Sequence, residues 1–329
     1  MTNTVKMTVA EADPELRKAL SKAPSLPITH PLGLRLARGL IRLFLRTSKN
    51  ALKDVAVSEK VVDNGGLRLY EPAKMRSGAA LLWIHGGGLI LGHPKANDDL
   101  CGHYARQLGL VVVSVRYRLA PENPYPAAID DCFAAWTWLL ENAEDLGVDP
   151  SRVIVGGQSA GGGLAAALCQ RIADTGGAQP AGQWLVYPML DDRTAANHSL
   201  DPIEHLIWNN RFNRFGWSSY LGHEVGQKTT PEWAVPARRQ DLSGLPAAWI
   251  GVGTLDLFLE ENKRYAQRLR DAGVECELDL VEGVPHGFEA LAPKASVSMA
   301  FSGRAEAFVR RRFGIDQGQE TRGSAESNF

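Results

Sequence analysis

The sequence predicts an α/β fold built on a mainly parallel sheet, and three observations carry that prediction. Short apolar runs rich in Val and Ile recur along the chain with almost no polar alternation. Between them lie stretches whose apolar residues fall at three- and four-residue spacing, the signature of helices. No repeat of about 20–50 residues is visible, which sets solenoids aside. Strands that do not alternate are buried on both faces, as in a parallel sheet covered by helices on each side.

Each element follows from its own segment. Residues 1–50 precede any strand pattern, and in "GLRLARGLIRLFLR" Arg35, Arg38, Arg42 and Arg46 fall within about 80° of one another on a helix. Apolar residues wrap most of the rest, which suits a helix packed onto other helices better than one lying in lipid. "ALLWIH" (80–85) is the first buried strand. Ala96, Leu100, Tyr104 and Leu108 give a helix, "LVVVSVRY" (110–117) a strand, and Ile129, Cys132, Phe133, Trp136, Leu139 and Leu140 a second helix. "RVIVGG" (152–157), "QWLVYP" (183–188) and "AAWIGVG" (247–253) are further buried strands. Residues 193–246 are rich in aromatics, among them Trp208, Phe212 and Trp217, but carry little strand pattern, so they form an insertion. In open α/β sheets the ligand crevice lies at the carboxyl ends of the strands, and extra helices over that edge make a cap. The expected organisation is a cap segment (1–50), a catalytic core (51–192 and 247–313), a cap insertion (193–246) and a polar, disordered tail (314–329).

Composition excludes several classes of function. With 36 Lys and Arg against 37 Asp and Glu, the net charge is −1, and no global field recruits nucleic acid or anionic lipid. The opening residues lack a signal peptide's basic and apolar regions, and no apolar run reaches the roughly 18 residues of a membrane span. A soluble, cytoplasmic protein without stable membrane insertion is expected. The four cysteines show no metal-binding spacing and read as small core residues, so no metal site is expected.

One stretch carries chemistry. "VGGQSAGGG" (155–163) crowds glycines around Ser159 between a strand and a helix. In Gly157-Gln158-Ser159-Ala160-Gly161 the chain turns sharply and leaves the hydroxyl at a helix start, where the dipole and the Ala160 N–H favour negative charge. A phosphate-binding loop is the alternative for a Gly-rich turn, but no G-x-x-x-x-G-K-[ST] follows. A hydroxyl needs a base, and the base an orienting acid. His286, in a Pro/Gly-punctuated loop after "CELDLV", supplies the base. Asp256 follows a buried strand and completes the order Ser…Asp…His; Asp191 and Asp192, after the preceding strand, are rival acids. "WIHGGGLILG" ends a strand with His85 and Gly86-Gly87-Gly88, whose N–H groups can face an oxyanion.

Through "HGGG" (85–88), "YRLAPENPYPAAIDD" (117–131), "GQSAGG" (157–162), "GTLDLF" (253–258) and "HGF" (286–288), the chain resembles the bacterial carboxylesterases similar to hormone-sensitive lipase, esterase family IV. The resemblance spans about Leu67 to Arg312. It implies an α/β-hydrolase fold, an eight-stranded mainly parallel sheet with a helical cap, hydrolysing short-chain carboxylic esters without a cofactor. By motif match Ser159 is the nucleophile, Asp256 the acid, His286 the base, and Gly87, Gly88 and Ala160 the oxyanion donors. His85 and Gly86 would support that loop, and Leu89, Trp208 and Leu257 would line the substrate pocket. Gln158 and Leu257 stand where many members carry Asp and Pro, which leaves substrate preference open. Lipase or amidase activity, or ligand binding without turnover, are the other readings. The expected partner is a small-molecule ester, with no nucleic acid; a homodimer is left open by the resemblance.

Overall fold

The computed structural model describes residues 5–23, 28–47, 52, 54–74 and 76–315. All of the expected polar tail but residues 314 and 315 lies outside them, as do the side chains of Val5, Lys6, Phe44, Arg46 and Thr47. A two-residue strand β1 (Val5–Lys6) and a one-turn helix α1 (Arg17–Leu20) precede α2 (Pro31–Thr47). Then come β2 (Val55–Lys60), β3 (Gly66–Pro72), β4 (Ala80–Ile84), α3 (Asp98–Leu108) and β5 (Val111–Arg116). The chain continues through α4 (Ala127–Glu141), α5 (Ala143–Leu146), β6 (Val153–Gln158), α6 (Ala160–Thr175) and β7 (Gly182–Val186). An excursion holds α7 (Asp192–Ala196), β8 (Ile203–Glu204) and α8 (Asn210–Leu221). The sheet resumes with β9 (Ala248–Gly253), α9 (Leu259–Asp271) and β10 (Cys276–Val281), followed by α10 (Phe288–Leu291) and α11 (Ser296–Phe313).

Eight strands form one sheet in the order β10-β9-β7-β6-β4-β5-β3-β2. The six strands from β10 to β5 run parallel, and β3 and β2 pair antiparallel at the far edge. The five central runs read from the sequence are strands, and their lack of alternation has the expected cause: every residue of β4, β7 and β9 is buried. Period-2 geometry then divides them between two layers. Leu82, Ile84, Val113 and Val155 join Ile129 of α4, Leu164 of α6 and Leu269 of α9 on one side. Leu81, Trp83, Val112 and Trp184 join Tyr104 of α3 and Phe301 and Phe308 of α11 on the other. Each fully buried side chain of this size contributes about 1.5–3 kcal/mol.

The N-terminal segment is divided between these layers rather than set apart from them. Ala12, Leu16 and Leu20 are buried with α3 and α11, whereas Leu34 and Ala37 of α2 are buried in the opposite cluster. β1 pairs in parallel with β8, which ties the N-terminus to the excursion. That excursion and the oxyanion-type loop after β4 therefore meet at the carboxyl ends of the parallel strands, where every candidate catalytic residue also lies.

Candidate active site

Ser159 follows β6 and caps α6 with φ 56° and ψ −123°, a conformation that costs a non-glycine residue about 1–3 kcal/mol. Its surroundings hold it there. Its N–H donates to Val186 O at 2.8 Å, and its carbonyl accepts from Met189 N and Gly163 N, each at 3.0 Å. The sharp turn also forces α6 against β4. A Cβ on Gly161 would stand 2.0 Å from Ile84 O and 2.5 Å from His85 O, so only glycine permits the approach. Ala160 opens α6, where a backbone N–H has no intrahelical acceptor.

His286 lies beyond β10 and Asp256 beyond β9, and the structure brings both to Ser159. His286 Nε2 is 2.8 Å from Ser159 Oγ, and His286 Nδ1 is 2.8 Å from Asp256 Oδ2. All three residues are buried. The second carboxylate oxygen, Asp256 Oδ1, accepts from Phe258 N at 2.9 Å, which fixes the carboxylate plane. The rival acids are engaged elsewhere. Asp191 pairs with Arg193 through both oxygens at 2.8 Å and caps α7, and Asp192 takes the Arg238 guanidinium at 2.6 and 2.9 Å.

The loop after β4 carries backbone N–H groups free to donate. Gly87, Gly88 and Leu89 all have positive φ (125°, 61° and 68°), and neither Gly87 N–H nor Gly88 N–H has a protein acceptor among the described residues. Gly88 is pressed from above: a Cβ there would meet the Trp208 ring at 2.2 Å. Gly216 of α8 approaches the same peptide, since a Cβ on it would lie 2.6 Å from Gly88 O. Gly86 sits against the Gln158 backbone, at 3.0 Å from a built Cβ. His85 is buried beneath, its ring stacked on Tyr117 at 4.3 Å and its Nδ1 2.8 Å from Gly86 O. A carbonyl only accepts, so that nitrogen carries the proton. Tyr117 Oη in turn donates to His85 O at 3.0 Å. Burial pushes the His85 pKa down to about 4, leaving a neutral ring bonded to the Gly86 carbonyl. Leu89, Trp208 and Leu257 are all buried in the apolar cluster that reaches this loop.

Several neighbours of the triad were not picked out from the sequence. The Tyr187 ring stands edge-on to His286 at 4.6 Å and the Phe258 ring at 5.2 Å, so the imidazole is held between two aromatics. Tyr187 Oη donates to Glu289 Oε1, while Glu289 Oε2 is buried without a partner among the described residues. Burial raises the Glu289 pKa, opposed by the Tyr187 hydrogen bond. His205, beside β8, has a buried Nδ1 without a hydrogen-bond partner among the described residues, and burial lowers its pKa, opposed by the Ile203 backbone and then by Asp256. Tyr187 and Phe258 sit in ordinary apolar runs, and His205 in an aperiodic segment, so only the fold reveals them. Among the described residues no cluster of three or more His, Cys, Asp or Glu could hold a metal ion.

Comparison with known proteins follows the same line. The family model described as the alpha/beta hydrolase fold matches residues 81–290. The chain is 33% identical over 308 residues to the carboxylesterase NlhH of Mycobacterium tuberculosis, covering 92% of this chain and 96% of that one. It is 33% identical over 259 residues to an ethyl acetate hydrolase of Pseudomonas putida, covering 73% and 76%. Among solved structures it superposes on a bacterial heroin esterase with a TM-score of 0.85 at 34% identity, covering 93% of this chain and 99% of that one. An esterase of the bacterial hormone-sensitive lipase family gives a TM-score of 0.74 at 27% identity, covering 92% and 99%.

Proposed function

The chain belongs to the alpha/beta hydrolase fold family, in the branch of bacterial esterases related to hormone-sensitive lipase, and we propose that it is a serine carboxylesterase acting through Ser159, His286 and Asp256. The observation that carries this is the unbroken relay from Ser159 Oγ to His286 to Asp256, 2.8 Å at each step, beside two N–H groups that have no protein acceptor among the described residues.

In the first half-reaction His286 Nε2 takes the Ser159 proton as Oγ forms a bond to the ester carbonyl carbon. Asp256 holds Nδ1–H toward itself, which leaves Nε2 free to accept, and it stabilises the imidazolium that results. The carbonyl oxygen becomes an oxyanion, received by the N–H groups of Gly87, Gly88 and Ala160; one such donor is worth roughly 2.7–4 kcal/mol of barrier. The C–O bond to the alcohol then breaks, and His286 returns its proton to the departing oxygen. Water repeats the sequence on the acyl-enzyme, giving the free acid and regenerating Ser159.

From the N-terminal segment α2 joins the excursion to form the cap in this reading, while residues 12–20 pack with α3 and α11. Trp208 and Gly216 of α8 pack closely on Gly88, and this contact supports a short, apolar acyl site. Each buried CH₂ adds about 0.8 kcal/mol until such a pocket is full, after which longer chains are excluded sterically. The substrates are short-to-medium acyl esters, with a maximum near about C4–C6. A cytoplasmic setting is supported by the four cysteines, all free and three of them buried, a pattern suited to a reducing compartment.

The test is a kcat/KM profile over p-nitrophenyl esters of increasing acyl length, with a p-nitroanilide control. A maximum at short chains and negligible anilide turnover are expected. A maximum at C12 or beyond would overturn the covered-pocket reading, and faster anilide cleavage would make the protein an amidase.

A further inference from the structure

The sequence predicts that helix α2 packs its apolar residues onto other helices, yet of the eight apolar side chains described on it only three are buried. Leu34, Ala37 and Leu45 are nearly inaccessible, whereas Leu32, Leu36, Leu40 and Leu43 are 69%, 64%, 50% and 60% exposed. At 100° per residue the exposed leucines fall within about 80°, directly opposite the buried set. Eight large apolar side chains are exposed among the described residues, and four of them lie on this one helix. Singly exposed leucines need no explanation, but a contiguous row does.

The charge beside that row has one sign. Arg35, Arg38 and Arg42 occupy the sector between the two leucine faces. Arg38 is bound to Glu122 at 2.8 Å and to the Ile90 and Ala120 carbonyls, and Arg35 also faces Glu122. Arg35 and Arg42 are exposed. A cavity of about 1040 Å³ opens along this flank and is lined by Arg38, Arg42, Lys95 and Arg116 against a single acid, Glu122. In the sequence the pattern is wider. Residues 16–53 hold nine Lys and Arg and no Asp or Glu, in a chain whose net charge is −1.

We propose that the outer face of α2 is a reversible docking surface for an anionic lipid bilayer, with the exposed leucines seated among the acyl chains and the arginine flank against the headgroup phosphates. A leucine face with a basic border is what an interfacial helix requires. Self-association through the same row would bring two acid-free, arginine-bordered helices together, and the like charge opposes it. Among the described residues no helix is long and apolar enough to cross a membrane, so the association is peripheral. It does not depend on the triad and stands or falls separately from the esterase reading.

The experiment is flotation of the full-length protein with vesicles of phosphatidylcholine alone and of phosphatidylcholine with phosphatidylglycerol in equal parts. The protein should float with the anionic vesicles at low salt, and far less at high salt or with phosphatidylcholine alone. Leu36→Gln with Leu40→Gln should abolish flotation. Arg35→Gln with Arg42→Gln should weaken it by about fivefold per arginine. Hydrolysis of a soluble short-chain ester by each variant reports that it is folded, because none of these side chains touches the triad or the oxyanion loop. Absence of flotation, equal binding to neutral vesicles, or full binding by a folded leucine variant would each overturn the proposal. A dimer that the leucine variant dissolves, without vesicle binding, would assign the face to a second copy of the chain and overturn it as well.

Discussion

Replacing Asp256 by asparagine isolates what the carboxylate does, because the structure dictates which way the new amide must turn. Asp256 Oδ1 accepts from Phe258 N–H at 2.9 Å, and Oδ2 faces His286 Nδ1 at 2.8 Å. The asparagine oxygen must keep the Phe258 bond, since an amide NH₂ there would oppose a donor with a donor. The NH₂ is thereby aimed at His286 Nδ1, which must then accept, so the imidazole proton moves to Nε2. That is the nitrogen that has to take the Ser159 proton, and the base is lost while the side-chain volume is unchanged. The expected loss in kcat is about 10⁴-fold, or roughly 5 kcal/mol at 1.36 kcal/mol per decade. The assay is steady-state hydrolysis of p-nitrophenyl butyrate, with circular dichroism to establish folding and Asp191→Asn as the control. Asp191 pairs with Arg193, faces Arg264 at 4.0 Å and caps α7, all away from His286, so its variant should keep most of its activity. An Asp256→Asn enzyme within tenfold of wild type, or an Asp191→Asn enzyme that is the more damaged of the two, would refute the assignment.

Two further outcomes follow from the groups packed around the triad. The buried His85 has its pKa pushed down to about 4, against about 6.5 when unfolded, so on acidification the unfolded chain takes up the proton first. This group's contribution to stability is complete above about pH 6.5 and is lost as pH falls toward 4; between pH 7 and 5 the loss is about 2 kcal/mol. Urea denaturation of wild type should show that slope and His85→Gln should lack it; identical slopes would contradict the buried neutral ring. Tyr187→Phe keeps the ring against His286 but leaves Glu289 buried with neither oxygen bonded, and should cost about 1–3 kcal/mol of stability. Its effect on kcat should be far smaller than that of Asp256→Asn, and a loss of similar size would place the Tyr187 hydroxyl in the chemistry.

What the sequence displayed and what it hid differ for physical reasons. The central strands were legible because burial on both faces removes polar residues, as in "ALLWI", all of it buried. The antiparallel strands β2 and β3 were not recognised. "VAVSEK" is half exposed because β2 is the edge of the sheet, and "GLRLYEP", though mostly buried between β5 and β2, interrupts its apolar residues with Arg, Glu, Gly and Pro. β1 and β8 have two residues each, too few for any periodicity. The three residues that the structure joins through contacts of 2.8 Å were legible because Ser159 and His286 lie in glycine-marked turns and Asp256 follows a buried strand. The aromatic walls at Tyr187 and Phe258, the Glu289 carboxyl and the unpartnered His205 nitrogen are defined by contacts between segments far apart in the chain. In α2 the sequence showed an apolar helix with an arginine stripe, but not that its leucines divide between an inner and an outer face. Which of them is covered is decided by tertiary packing alone.

The central claim is that Ser159, activated by His286, is the atom that takes the acyl group. Incubation of the full-length protein with a fluorophosphonate, followed by peptide mass spectrometry, tests it most directly, with Ser159→Ala as the companion. The account predicts one adduct, on Ser159, appearing as ester hydrolysis disappears, and a folded Ser159→Ala protein that neither labels nor turns over. Labelling of another residue with loss of activity, or substantial hydrolysis by folded Ser159→Ala, would contradict it.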